Sequence, residues 1–130
     1  MIILTIRTDK PEAELGLFND QLELGHKLWY AHRTLAETLN QNIEQLLQSH
    51  NKKLRQIDGL VVFQGPGSFT GLRIGITVAN AMADSLKIPI VASQGTSWMS
   101  RGIARIMSGS SEKMVLPSYG ATVHITKPKK

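Results

Sequence analysis

Eleven residues between a short apolar run and a helical pattern carry the densest chemical signal in the chain: Gly65-Pro66-Gly67-Ser68-Phe69-Thr70-Gly71-Leu72-Arg73-Ile74-Gly75. A loop of this kind at a helix start can present backbone N–H groups and hydroxyls to an anion, because glycine permits close approach and unusual backbone angles. The candidates for holding a nucleotide or another anion are Gly65, Gly67, Ser68, Thr70, Gly71 and Arg73. The stretch is not a Walker A loop, since no Gly-Lys-Ser/Thr closes it and its basic residue, Arg73, falls inside the helix. It does not fit G-x-G-x-x-G either, because Thr70 stands where the third glycine belongs. A tight strand-to-helix turn capped by Ser68 or Thr70 accounts for the same spacing, and on spacing alone it is the simpler account.

Little other chemistry is available. With no cysteine, the chain has no disulfides, thiolate zinc sites, iron–sulfur clusters or cysteine nucleophiles. His26, His32, His50 and His124 form no i, i+4 pair and have no carboxylate at metal-ligand spacing, so no metal site is expected. His32 stands just before a helix start, where a structural or capping role fits. Ser68 lacks a recognisable His and Asp set, and Gly-Pro-Gly-Ser-Phe is not the nucleophile elbow of hydrolases. No pair of carboxylates stands out for acid–base work. On its own residues the chain reads as a binding subunit more than an enzyme.

The elements that must position the loop follow from periodicity. Residues 1–7, 13–18 and 22–31 read as three strands joined by tight turns at residues 9–11 and 19–20. Thr34-Leu35-Ala36-Glu37 is a capping box, and Leu35, Leu39, Ile43, Leu46 and Leu47 then recur at helical spacing to about His50-Asn51. Leu60-Val61-Val62-Phe63 suits a strand buried on both faces. A helix over residues 71–87, a strand over 88–92, and a helix capped by Thr96 or Ser97 and running to Met107 complete an α/β layer fold.

One hundred and thirty residues, 42% hydrophobic and 19% charged, suit one globular domain with its own core. The apolar runs are too short for a bilayer span or a signal-peptide core, so a cytoplasmic address and no membrane partner are expected. The net charge of +5 sits at one end: residues 1–100 hold nine basic and nine acidic side chains, and residues 101–130 hold six basic ones against Glu112. Residues 108–130 therefore read as a linker and a basic extended tail, either a solvated end or a contact for a nucleic acid backbone.

In the second helix Arg73, Thr77, Asn80, Asp84 and Lys87 form one polar stripe and leave most of the circumference apolar. Gly71, Gly75, Ala79 and Ala83 permit close approach of another backbone. Either the chain's own first helix and sheet cover this surface, or another subunit does. On the second reading the interface comprises Leu35, Leu39, Ile43, Leu72, Gly75, Ile76, Ala79, Met82 and Ala83, and a large residue at Gly75 or Ala79 abolishes pairing but leaves the lobe folded.

At all eleven positions of residues 65–75 the chain resembles the TsaB family, the bacterial non-catalytic subunit in tRNA threonylcarbamoyladenosine biosynthesis. The similarity extends in order over most of residues 1–107, through His32, Ile57-Asp58 and Ile88-Pro89-Ile90. The resemblance implies an actin-like, ribonuclease-H-like (ASKHA) single lobe with a mixed five-stranded sheet flanked by helices. It also implies pairing through the helices with a TsaD-like catalytic subunit, which holds the metal and transfers the threonylcarbamoyl group to N6 of adenosine 37 in tRNAs reading ANN codons. In this family a TsaE-like ATPase binds the pair, and ATP or ADP can sit at the junction; the chain brings no cofactor of its own. tRNA would be met indirectly or through the basic tail.

The chain departs from the family in carrying Ile6-Arg7-Thr8 where Ile-Asp-Thr is common; an arginine cannot hold a magnesium ion. Arg33 and Thr34 follow His32 where the family often has a small residue and Glu. The family's second lobe is not evident after residue 107, and Pro117-Ser118-Tyr119 is similar to its closing Pro-x-Tyr. Surface near the third helix and fifth strand then needs another cover, so residues 114–125 are expected to pack back on the lobe or to be exchanged between chains. Two other readings stay open: a small nucleotide-binding or ATP-hydrolysing protein using residues 65–73, and a regulatory homodimer.

Overall fold

A computed structural model describes residues 1–67 and 69–118, apart from the side chain of Phe69. Ser68 and the basic tail beyond residue 118 lie outside the described residues. The strands are β1 (Ile2–Arg7), β2 (Glu12–Asn19), β3 (Leu22–Tyr30), β4 (Gly59–Phe63) and β5 (Ile90–Ser93), and the α-helices are α1 (Leu35–Gln48), α2 (Phe69–Leu86) and α3 (Trp98–Met107). Two single-turn 3-10 helices, His32–Thr34 and Leu54–Gln56, precede α1 and β4.

One five-stranded sheet runs β3-β2-β1-β4-β5. The first three strands are antiparallel meanders, and β4 and β5 add parallel to β1. Parallel strands need crossovers that lay helices on the sheet: α1 lies on the path from β1 to β4 and α2 joins β4 to β5, while α3 follows the last strand and packs on β4 and β5. Thr8 meets Gly75 of α2, whereas Thr5 lies on the other face, where Gly16 meets Met99 and Val61 meets Gly102 of α3. Side chains three apart on a strand point to opposite faces, so α2 and α3 cover opposite sides. Every residue of β4 and β5 is buried, as a strand between two helical layers requires. In β3, at the sheet edge, exposed and half-buried residues alternate, and Leu28 and Tyr30 face outward.

α1 is amphipathic as its spacing predicts: Leu35, Leu39, Ile43, Leu46 and Leu47 are buried. Its capping box is not made. Thr34 occupies the N-cap position without a side-chain cap bond, and its Oγ1 donates to the Ala31 carbonyl at 2.6 Å. The reason is the preceding 3-10 turn, entered at His32 with φ of +42°, which places that carbonyl within reach of the hydroxyl. Ser97 likewise begins α3 without capping it. No described helix is long and apolar enough to cross a membrane.

Candidate functional site

The glycine-rich segment leaves β4 at Phe63 and turns into α2 through Gln64, a cis Gly65–Pro66 peptide and Gly67. Gly65 has φ of +119°, a region that favours glycine, and a Cβ there would overlap the Ser118 carbonyl. A Cβ on Gly67 would come within 2.5 Å of Asp9 Cβ. One turn into the helix, Thr8 Oγ1 donates to the Gly71 carbonyl at 2.7 Å, and Gly75 lies so close to Thr8 that a Cβ would overlap the hydroxyl. The glycines thus bring the first two turns of α2 down onto the end of β1. That packing accounts for Gly67 and Gly75 without a ligand, and the loop is at least the tight strand-to-helix turn that its spacing allows.

The anion candidates do not converge on one point. Gly65 lines a cleft of ≈ 600 Å³ at the carboxyl ends of β1, β4 and β5, together with Arg7, Gln94, Thr96 and Arg101. Thr70 and Gly71 line a separate cleft of ≈ 320 Å³ with Lys10, His32 and Arg33. Arg73 lies further along α2, between its two flanking grooves. Both clefts are edged by cations, so a phosphate at either would be electrostatically favoured.

Arg7 shows what has become of the end of β1. Its Nε donates to Asp9 Oδ1 at 2.7 Å and its Nη2 to Asp9 Oδ2 at 3.2 Å, while the guanidinium lies 3.9 Å from the centre of the Phe63 ring. The paired geometry consumes the one carboxylate at this turn. His32 is exposed and stacks on Tyr30 with ring centres 5.7 Å apart. Among the described residues no group of three His, Asp or Glu side chains is placed to hold a metal ion.

The structure places most of the interface residues expected from the sequence in the lobe's own core. Leu35, Leu39, Ile43, Leu72, Ile76, Ala79, Met82 and Ala83 are all at most 9% exposed and belong to the lobe's own core, and Gly75 is buried against Thr8. They are taken up by the sheet, by α1 packed beside α2, and by Val115 from the segment after α3. Ile43 and Met82 still edge a groove of ≈ 300 Å³ between the second half of α1 and α2, whereas Leu39, Leu72 and Ala79 are fully enclosed. The outer groove between α1 and α2 is lined instead by Ala36, Thr70, Arg73, Ile74, Thr77 and Val78, in a cavity of ≈ 440 Å³. Ile74 and Val78 are the half-buried apolar residues there, one helical turn apart. The sequence held the signal, since both stand beside the polar stripe, but nothing in one helix says which apolar stripe its own sheet will take.

A family model for TsaD, described as tRNA N6-adenosine threonylcarbamoyltransferase, matches residues 29–100, from the end of β3 through α3's first turn. The TsaB protein of Bacillus subtilis, named for tRNA threonylcarbamoyladenosine biosynthesis, is 32% identical over 92 residues, 71% of this chain and 40% of the relative. The chain belongs to the TsaB/YeaZ family. The Escherichia coli TsaB protein is 28% identical over 121 residues, 88% of this chain and 52% of the relative. YeaZ from Pseudomonas aeruginosa superposes with a TM-score of 0.66 at 27% identity, over 72% of this chain and 43% of that one. The architecture is accordingly the actin-like, ribonuclease-H-like single lobe of the TsaB/YeaZ fold. The chain spans about half the length of the curated TsaB relatives it matches.

Proposed function

We propose that the chain is a non-catalytic scaffold or activator in the formation of N6-threonylcarbamoyladenosine at position 37 of tRNAs reading ANN codons, pairing with a TsaD-like subunit. The observation that carries this reading is the family match over residues 29–100, which takes in the glycine loop, α1 and α2. Two features of the chain support it. The carboxylate of Asp9 at the end of β1 is paired with Arg7. The outer faces of α1 and α2 also present an apolar groove around Ile74 and Val78, suited to a helix from another protein.

In this reading a TsaE-like ATPase joins the pair, and ATP or ADP sits at the junction. Lys10 and Arg33 beside the start of α2, or Arg101 beside Gly65, would neutralise its phosphates. tRNA is bound by the assembly, with the basic tail as this chain's contribution. The assembly works in the cytoplasm.

The test is size-exclusion chromatography with light scattering on the chain alone and mixed with TsaD from the same cell, with and without ATP. The expected result is a mixed complex that forms at the expense of any homodimer and is lost in an Ile74→Asp, Val78→Asp variant. Absence of a complex under every condition overturns the reading. ATP turnover by the chain alone, lost in Arg73→Ala, would point instead to an enzyme built on the loop.

A further inference from the structure

After α3 the chain turns at Gly109, whose φ of +97° is one that glycine takes without strain, and then recrosses the lobe from one face to the other. Residues 112–118 lie along this path. The Glu112 N–H donates to the Ile90 carbonyl at 2.8 Å, and Glu112 Oε2 accepts the Ala92 N–H at 2.8 Å, so one residue occupies the outer edge of β5. Arg105 fastens the same corner, with Nη1 donating to the Ala92 carbonyl at 2.7 Å. At α2 the Asn80 carboxamide behaves as a piece of strand: Nδ2 donates to the Val115 carbonyl at 3.0 Å, and Oδ1 accepts the Val115 N–H at 2.9 Å. The Val115 side chain is 1% exposed.

The path ends at the glycine loop. Gln64 Nε2 donates to the Leu116 carbonyl at 2.8 Å, and the Ser118 N–H donates to the Gln64 carbonyl at 3.0 Å. The Ser118 carbonyl then fills the space that a side chain on Gly65 would need. Gly65 is therefore reserved for two reasons at once, its backbone angle and this approach. Apart from the buried Val115 side chain and the Glu112 carboxylate, the segment is held through its backbone, and Met114 and Leu116 on either side of Val115 are about two-thirds exposed.

We infer that residues 112–118 are a strap that holds the Gly65–Pro66–Gly67 turn in its present form, with Asn80 as the latch, and that strap and turn open as one unit. The reason is connectivity. The strap touches the turn directly through Gln64, Gly65 and Ser118, and its one apolar anchor is seated by the two hydrogen bonds of Asn80. The half-buried Asn80 carboxamide is paired on both of its groups with one residue, so a shift of Val115 loses both bonds together. Losing it frees Val115, and the segment running on to Ser118 is then held only by its bonds to Gln64 in the turn itself. The start of α2, where Thr70 and Gly71 edge a cleft, would thus be controlled by a segment nearly fifty residues later. This inference does not depend on the identity of any partner.

The absence of cysteine supplies the test. In a Val115→Cys variant the single thiol reports strap opening by its rate of reaction with a soluble disulfide reagent. It is expected to react at least about tenfold more slowly than a thiol in an unfolded peptide, and Asn80→Leu in the same background to restore about tenfold or more of the lost rate. Hydrogen exchange in the otherwise native Asn80→Leu chain should accelerate at Val115 and Ser118 and, together with them, in residues 64–67. A far-UV circular dichroism spectrum unchanged at the temperature of the exchange experiment separates this from general unfolding. A thiol that reacts at the peptide rate with Asn80 intact overturns the strap. Acceleration confined to 115–118, with 64–67 unchanged, overturns the control of the loop. Gln64→Leu is a second route to the same answer, since it removes the tether to Leu116 but leaves Asn80 in place.

Discussion

The two faces of α2 use the same kinds of residue for opposite ends. On the inner face Leu72, Ile76 and Ala79 are buried against the sheet, and Gly75 lets the helix reach Thr8. On the outer face Ile74 and Val78 are half-buried at the edge of a groove shared with α1. Both faces are apolar in the sequence, and the small-residue stripe reads equally well as a seam within the lobe or as a seam between subunits. The difference teaches that close approach was spent inside the lobe. The apolar pair left half-uncovered lies one step around the helix, at Ile74 and Val78.

The largest effect should come from closing the inner seam. Gly75→Leu gains about 1 kcal/mol of helix propensity. It must also drive a side chain into Thr8 and break the 2.7 Å bond to the Gly71 carbonyl, and overpacking of this kind typically costs 1–3 kcal/mol and occasionally more. The net result should be a lobe destabilised by roughly 2 kcal/mol or more, read by urea denaturation, with loss of pairing following loss of fold. A folded Gly75→Leu lobe that merely fails to pair would reverse the assignment of the two faces.

Leu72→Ala, on the same seam, is of comparable size, because Leu72 is 0% exposed and its removal leaves a cavity: a loss of about 2–3 kcal/mol, with pairing retained below the new melting temperature. The outer face should answer in the opposite sense. Ile74→Asp with Val78→Asp should weaken association with TsaD by about thirtyfold or more, measured by titration calorimetry. The lobe's own denaturation midpoint should move much less than in Leu72→Ala. Equal effects on both measurements would mean that the outer face belongs to the core after all.

The smallest expected effect sharpens the comparison at the start of α1. A Thr at a working N-cap loses about 1 kcal/mol when replaced by Ala. The Thr34 hydroxyl instead bonds to the Ala31 carbonyl, so Thr34→Ala should cost less, about 0.5 kcal/mol, as the loss of one half-exposed hydrogen bond. A full capping penalty in thermal melts would show that the box forms in solution.

Much of the molecule was legible from residue order. The strand order of chemistry, three β-rich runs followed by alternating helix and strand, follows from hydrophobic period, and each observed element lies within a few residues of its expected place. The uniform burial of β4 was visible in Leu60-Val61-Val62-Phe63, since only a strand covered on both sides tolerates four consecutive apolar residues. The family was carried by residues 65–75. The caps were misjudged because Thr34 and Ser97 have the right type, whereas cap bonds depend on the turn that precedes them. The expectation that residues 114–125 return to the lobe is met by residues 114–118, where Val115 is seated against Asn80; residues 119–125 lie outside the described residues.

The sequence by itself determined the elements, the glycine-dependent turn and the family, because each of these is written in residues adjacent or periodic along the chain. Only the tertiary structure decided which apolar surface is core and which is free. Burial is settled by groups far apart in the sequence: Thr8 against Gly75, Ser118 against Gly65, and Val115 against Asn80. A hydrophobic stripe records that something must cover it, but the identity of the cover depends on where the other elements come to rest.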